Sequence, residues 1–504
     1  MPSRRLLAAL AVCAALAASA PCAAAAAPPA PGAAPYGLVA SNANFVPGDT
    51  LAERAANYRR LYMAGVRAIR LDINWRQVEP PGKPLHDYDF AERDREVRAI
   101  EDAGLRVIGI LGYGHPDYSA LGGLAQRTPV GQDGLPPFQL GASRSFPPDD
   151  PREFARYARA TAAHYARRFP GEVIAWEVWN EENEGYRFWA PHESPSAYAR
   201  LLCATYPALK SADPGASVLF GGVFFPAVPP GLPGMSGPQF VSAAYRSHPG
   251  LGRCYDAMAY HPYAYPFTAP ELDVPIRGSV LSAAAQMRAV LRRHGDGAKP
   301  LWITEVGWPT SDRTYGVPEA KQAEYVARMQ AATFAEGVPV LTWYTYGDAP
   351  DPTGGANQEA HFGLFRADNT PKPAYAALRV FARTFRGTAF ARDLSRRLGL
   401  PRGRPLTGGR GFALQYERPG ARGCEPARVT AVWLASESVG EGQGPLPAGG
   451  TLTPASAPVR LPVRARSVTL TGYLGGEKRV RAHRGAVELQ ASAAPVYVTD
   501  PGRC

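Results

Sequence analysis

The chain lacks most of the short signatures that announce a function. Its six cysteines include no Cys-x-x-Cys pair, which argues against a zinc site or dithiol redox chemistry. There is no glycine-rich phosphate loop, no Gly-x-Ser-x-Gly nucleophile turn and no His-Glu-x-x-His helix, so these motifs offer no nucleotide site, serine nucleophile or zincin centre. Runs of five or six basic residues are also missing, although the formal charge is +11. The basic residues are nearly all arginine and are dispersed, which reads as solvated surface and not as a nucleic-acid groove. A weakly anionic substrate stays compatible with that charge. What the chain has in quantity is glycine (52) and proline (51), favouring many loops and turns over long helices.

The first 34 residues read as a signal peptide and Ala/Pro-rich leader. Arg4 and Arg5 precede an apolar run from Leu6 to Ala18, followed by small residues, as in secretory signals. The run is too short and too alanine-rich for a stable membrane span. Pro21 before Cys22 speaks against a lipid anchor. The expected location is therefore secreted or periplasmic, where disulfides form. Past the leader, Cys203, Cys254, Cys424 and Cys504 remain. Of three possible pairings, Cys203 with Cys254 and Cys424 with Cys504 is favoured, because each pair falls within one expected domain.

From residue 35 to 386, short apolar runs that end in polar or aromatic residues alternate with helix-like segments. The runs are 36–42, 66–75, 105–112, 173–184 (with the strand itself at 173–178), 217–224, 257–263, 300–308 and 338–346. Helices are expected at 50–64, 90–103, 151–169, 194–211, 279–294, 318–336 and 373–385. Eight apolar strands alternating with helices predict a (β/α)₈ TIM barrel, with its chemistry at the carboxyl ends of the strands. The loops 113–150 and 225–237 are expected to wall the cleft. Residues 387–504 change character to short turn-separated β segments, expected as a C-terminal β-sandwich in a supporting role.

The expected strand ends carry Arg70, Trp75, His115, Asn180, Glu181, His261, Tyr263, Glu305, Trp308, Trp343 and Tyr344. Two carboxylates among aromatic rings suit cleavage of a glycosidic bond. One carboxyl protonates the leaving oxygen, the other attacks or activates water, and the rings stack on sugar.

Trp179-Asn180-Glu181 on the fourth strand and Ile303-Thr304-Glu305-Val306-Gly307-Trp308 on the seventh resemble the clan A retaining glycoside hydrolases, families 39 and 5 most closely, over most of residues 36–385. The resemblance implies Glu181 as acid/base, Glu305 as nucleophile and Asn180 as a ligand of the sugar 2-hydroxyl. It also implies Arg70 beside the nucleophile, His261 and Tyr263 as the His-x-Tyr pair of strand six, and Trp343 as the floor of the subsite. Trp308 and His115 are added as candidate substrate contacts from their strand-end positions. Glu182 departs from the family, which usually has proline there. No metal or cofactor is expected. The expected partner is a carbohydrate, acted on by an exported glycosidase. The alternative is a non-catalytic sugar-binding barrel serving polysaccharide assembly or recognition.

Overall fold

The computed structural model describes residues 38–120, 145–185, 187–226, 234–264, 268–271, 279–311, 316–355, 357–402, 410–420, 424–435 and 456–502. The leader, Cys22, Cys504 and the central part of loop 113–150 lie outside the described residues, as do 227–233 of the second expected wall.

Eight parallel strands close into a barrel in sequence order. They are β1 (Leu38–Asn42), β2 (Ala68–Asn74), β3 (Arg106–Gly112), β4 (Val173–Asn180), β5 (Ser217–Phe224), β6 (Ala257–His261), β7 (Leu301–Val306) and β8 (Val340–Trp343). This is the expected TIM barrel. The helices start where local chemistry lets them. Thr50 and Glu53 form a capping box ahead of helix Leu51–Met63. Asp150 and Ser194 cap helices whose first residue is Pro151 or Pro195. Those side chains satisfy amide donors that the first helical turn leaves open. One helix, Gly237–Ser247, was not expected; its Ser236-Gly237-Pro238 start reads as a turn in sequence.

Inside the barrel, Ala40, Ala68, Ile108, Ala175, Leu219, Ala257, Ala259 and Val340 form a plug of mostly small side chains around the axis. Along β2 and β4, alternate residues point the same way. The next inward positions after Ala68 and Ala175 are therefore Arg70 and Glu177, which place a charged layer directly on the apolar plug. That switch from alanine to ionic groups marks the functional end.

The C-terminal part is all-β, as expected. A six-stranded antiparallel sheet has the order β14 (Glu477–Arg481), β13 (Ser467–Gly472), β16 (Val496–Asp500), β11 (Ala427–Ala435), β10 (Arg410–Arg418), β9 (Ala389–Asp393). A two-stranded ribbon, β12 (Ser456–Pro462) and β15 (Ala486–Ser492), covers it. Both faces of the central strands are buried. Phe412, Leu414, Tyr416, Val429, Ala431, Trp433 and Tyr497 join the core of the barrel's helical layer, whereas Ala413, Val432, Leu434 and Val498 pack under the ribbon. Burial on two sides is why β11 reads as a nearly continuous apolar run. At the seam, Arg328 donates to both carboxylate oxygens of Glu271, at 3.0 and 2.6 Å, and the Trp433 indole donates to the same carboxylate at 2.8 Å. The expected bridge between Cys203 and Cys254 is present, tying helix Pro195–Ala212 to the segment before β6. Among the described residues no helix is long and apolar enough to cross a membrane.

Candidate active site

A cavity of about 300 Å³ opens at the carboxyl ends of the strands, at the small end of the range for ligand pockets. Of the candidates named from sequence, Arg70, Asn180, Glu181, Tyr263 and Glu305 line it, and Asn42, Asp72, Tyr113, Phe188, Tyr344, Gln358 and Glu359 join them.

Arg70 organises the floor. Its Nε and Nη2 donate to the two oxygens of Glu177, at 2.9 and 2.8 Å, and Nη2 also reaches Asn180 Oδ1 at 2.8 Å. Nη1 donates to Glu305. Tyr263 donates its phenolic proton to the other Glu305 oxygen at 2.9 Å. Burial pushes the Glu305 carboxyl up, but His261 3.8 Å away, the Arg70 charge and the two donated hydrogen bonds together outweigh it, and its pKa is lowered. Glu305 is thus held as a carboxylate.

Glu181 has the opposite surroundings. Burial pushes its pKa up to about 8, opposed by Arg187 and reinforced by Glu305. One oxygen lies 2.7 Å from His261 Nδ1. The proton on that contact can be assigned from the far side of the ring. Glu177, bonded by Arg70, accepts from the Thr304 hydroxyl at 3.2 Å. The Thr304 oxygen then accepts from His261 Nε2–H at 3.1 Å. Burial lowers the His261 pKa to about 4, so the ring is neutral and Nδ1 carries a lone pair. With that tautomer a protonated Glu181 donates to Nδ1, in keeping with the raised pKa of its carboxyl. Oxygens of Glu181 and Glu305 and a ring nitrogen of His261 all lie within 4.8 Å of one another. These three could in principle ligate a cation, but Arg70, Tyr263 and the His261 contact already engage their donor atoms.

The backbone is bent to make this arrangement. Trp179 and Glu181, on either side of Asn180, have φ of +73° and +48°, a left-handed conformation that is rare for bulky residues and collects at functional sites. Burial of Trp179 and the hydrogen bond from its indole to the Phe188 carbonyl, 2.8 Å, hold the turn. Gly222, paired with Asn180 across the sheet, is required by space: a Cβ there would lie 2.1 Å from His261 Nε2 and 2.6 Å from Glu177 Oε1.

Three residues expected to touch substrate are placed elsewhere. Trp308 is fully buried and donates to the Thr268 carbonyl at 2.7 Å. Trp343 packs on Trp308, with ring centres 5.8 Å apart, and the next residue, Tyr344, lines the cavity in its place. His115 is buried against Trp75 and Tyr118, with Nε2 2.7 Å from the Glu79 carbonyl and Nδ1 accepting from the Asp117 amide. It fixes the turn after β3. His261 touches Glu181 from behind the cavity wall. Glu182 points away from the cavity and is completely buried, with both oxygens unpartnered among the described residues; burial raises its pKa far above the carboxylate range. Asn183 bonds the Phe224 and Met235 backbone, stapling the end of β5. Asp72 reads in sequence as a rim acid with no motif behind it, and Asn42, Gln358 and Glu359 carry no signal, each being one polar residue at a strand end or in a loop.

No family model matches the chain, and no curated protein does. Solved structures do. A family 39 glycoside hydrolase from the gut symbiont Bacteroides cellulosilyticus WH2 is 21% identical with a TM-score of 0.64, covering 92% of this chain and 80% of that one. A GH39 enzyme from Xanthomonas axonopodis pv. citri is 18% identical, with a TM-score of 0.56 and coverage of 92% and 94%. A GH39 beta-xylosidase from Caulobacter crescentus is 14% identical, with a TM-score of 0.59 and coverage of 92% and 96%. At these identities the likeness is one of fold, and the chain has the fold of these family 39 structures over nine-tenths of its length.

Proposed function

We propose that the protein is an exported retaining glycoside hydrolase. The observation that carries this reading is the opposed surroundings of two neighbouring carboxyls: Glu181 is buried with one oxygen 2.7 Å from His261 Nδ1, while Glu305 accepts hydrogen bonds from Arg70 and Tyr263. Environments that drive paired acids apart in pKa assign their roles. Glu181 delivers its proton to the glycosidic oxygen as the bond to the leaving group breaks. A Glu305 oxygen attacks the anomeric carbon and forms a glycosyl ester. Water then displaces Glu305, giving its proton to Glu181, which restores both groups. The lone pair on His261 Nδ1 faces Glu181 throughout and makes its carboxylate a better base in that second step.

Double displacement needs carboxyl groups about 5–5.5 Å apart, whereas inversion needs about 6.5–9.5 Å to admit water between them. Carboxylate oxygens within 4.8 Å support the retaining course. The family 39 fold supports the class of reaction by analogy, and the leader and the Cys203–Cys254 bridge support export. The test is a glycoside panel followed by proton NMR of the first-formed product. Retention at the anomeric carbon, and a loss of at least about a thousandfold in kcat/KM for Glu305→Gln, are expected. Inversion, or a fully active Glu305→Gln enzyme, overturns the reading.

A further inference from the structure

The C-terminal domain gathers arginines that stand apart along the chain. The turn between β12 and β13 carries Arg464 and Arg466, while β14 and the turn after it carry Arg479, Arg481 and Arg484. Backbone hydrogen bonds bring the two stretches together. The Val463 amide donates to the Gly485 carbonyl and the Ala482 amide to the Arg466 carbonyl, each at 2.9 Å. Ser467 is paired directly with Arg481, and paired strands run only about 4.8 Å apart. Arg479 leans toward the same end, its Nε donating to Ser467 Oγ at 3.1 Å.

Arg466, Arg479, Arg481 and Arg484 are exposed. The acids nearby do not balance them. Asp500 is 4% exposed and engages its two oxygens with the Arg464 and Ala465 amides, at 2.7 and 3.2 Å. Glu425 lies 3.2 Å from Arg464, and Glu477, at the far end of β14, reaches Arg383 at 2.8 Å. Five arginines against Glu425 and Asp500 leave a local excess of three positive charges among the described residues. The turn also holds an arginine where its backbone disfavours one. His483 and Ala486 exchange both backbone hydrogen bonds, at 2.8 and 3.1 Å, across a two-residue loop. Its residues, Arg484 and Gly485, have φ of +48° and +72°. Asparagine or glycine suits the first of these positions, and a bulky residue held there points to a use for its side chain.

Arginine's planar fork matches carboxylate and sulfate oxygens two at a time. Leu474, the exposed large apolar residue of this hairpin, sits at the opposite turn, so the arginine end lacks the apolar face that inserts into a membrane. We propose that this end of the C-terminal domain docks a polysaccharide bearing carboxylate or sulfate groups and tethers the barrel to it. The choice of a polysaccharide over other polyanions rests on the reading of the chain as an exported glycosidase, whereas the surface itself does not involve the catalytic cavity.

The test titrates the fluorescently labelled whole protein with polygalacturonate, dextran sulfate, uncharged dextran, duplex DNA and phosphatidylglycerol vesicles, the anions compared at equal charge. At least one acidic polysaccharide should bind more tightly than the dextran, the DNA and the vesicles, and its affinity should fall at least about tenfold between about 50 and 200 mM salt. Arg466→Gln, Arg481→Gln and Arg484→Gln together should weaken that binding at least about tenfold with an unchanged melting temperature. The same exchange at Arg95, Arg167 and Arg293, exposed on barrel helices, should leave it nearly unchanged. If the first triple variant does not fold, Arg484→Gly decides, because glycine suits the loop; it should still weaken binding about threefold, within the range for one exposed charge. Equal binding of dextran, tighter binding of the DNA or vesicles, an unaffected hairpin variant, or an equal loss in the barrel variant overturns the proposal. Glu305→Gln should bind the polysaccharide as wild type does. A protein that turns over no glycoside yet loses docking with its hairpin arginines would remove the glycosidase reading and leave this surface in place.

Discussion

Replacing Arg70 by methionine keeps most of the side-chain volume and removes the charge from two buried carboxylates at once. The Arg70 and Glu177 side chains are 1% and 0% exposed, so solvent cannot take over the guanidinium's part. Removing one partner of a buried ion pair costs about 3–5 kcal/mol because the other charge is left uncompensated. That is a large share of the roughly 5–15 kcal/mol by which a typical domain is stable. Guanidinium chloride unfolding followed by the fluorescence of the eight tryptophans measures it. The fall in midpoint is the safer quantity, since two packed domains need not unfold in one step. Adding Glu177→Gln should restore most of the lost stability, because the stranded charge disappears. It should not restore turnover, because Glu305 still lacks the cation that keeps it ionised. A loss below about 1 kcal/mol for Arg70→Met, the ceiling for exposed pairs, would refute the role given to the Glu177 pair. A double variant with wild-type kcat/KM would refute the role given to Arg70 at Glu305.

Three further variants probe the same end of the barrel. Gly222→Ala drives a methyl group into His261 and Glu177; kcat should drop at least about tenfold, corresponding to about 1.4 kcal/mol of transition-state stabilisation, and an unchanged kcat would show that the site yields freely. Thr304→Val removes the hydroxyl that fixes the His261 tautomer. In nitrogen-15 spectra wild-type His261 should show protonated Nε2 and bare Nδ1 at pH 7, whereas a bare Nε2, or an imidazolium at that pH, would contradict the assignment. The alkaline limb of kcat/KM, set near pH 8 by loss of the Glu181 proton, should move to lower pH in Thr304→Val. For Glu182 the folded pKa is raised, so the native state binds a proton that the unfolded chain releases above the ordinary carboxylate range. Stability from this group is complete below that range and declines as pH rises, by up to about 1.4 kcal/mol per pH unit. Glu182→Gln should therefore gain melting temperature over wild type between pH 6 and 9, and a gain that did not grow with pH would disprove a protonated Glu182.

The barrel was legible because each strand is an apolar run closed by polar residues, and because Thr50, Asp150, Ser194 and Ser279 announce helix starts. The two carboxyls at its centre stand out in sequence through Asn180-Glu181 and Glu305. What escaped had no periodic signal. Strand β14 is Glu-Lys-Arg-Val-Arg, a charged edge whose pairing with β13 comes from its neighbour and not from its own hydrophobicity. The choice between Trp343 and Tyr344 depended on one residue of register, and β7 and β8 pair with a shift between Ile303 and Val306; such a slip exchanges the faces of a strand. In sequence Glu177 is one acid within the apolar run of the fourth strand. Its link through Thr304 and His261 to the proton on Glu181 is visible only in three dimensions.

The segment after β6 has three fastenings in ten residues. Tyr263 holds the Glu305 carboxylate, the Thr268 carbonyl takes the Trp308 indole proton, and Glu271 is locked by Arg328 and Trp433. The first lies in the cavity and the last on the face of the C-terminal sheet. The sheet therefore serves as a splint: through Glu271 it braces the same strip of chain that presents Tyr263 to the nucleophile. Undocking the sheet frees that strip before any barrel strand separates, so heat should extinguish the chemistry at the temperature where the β domain lets go.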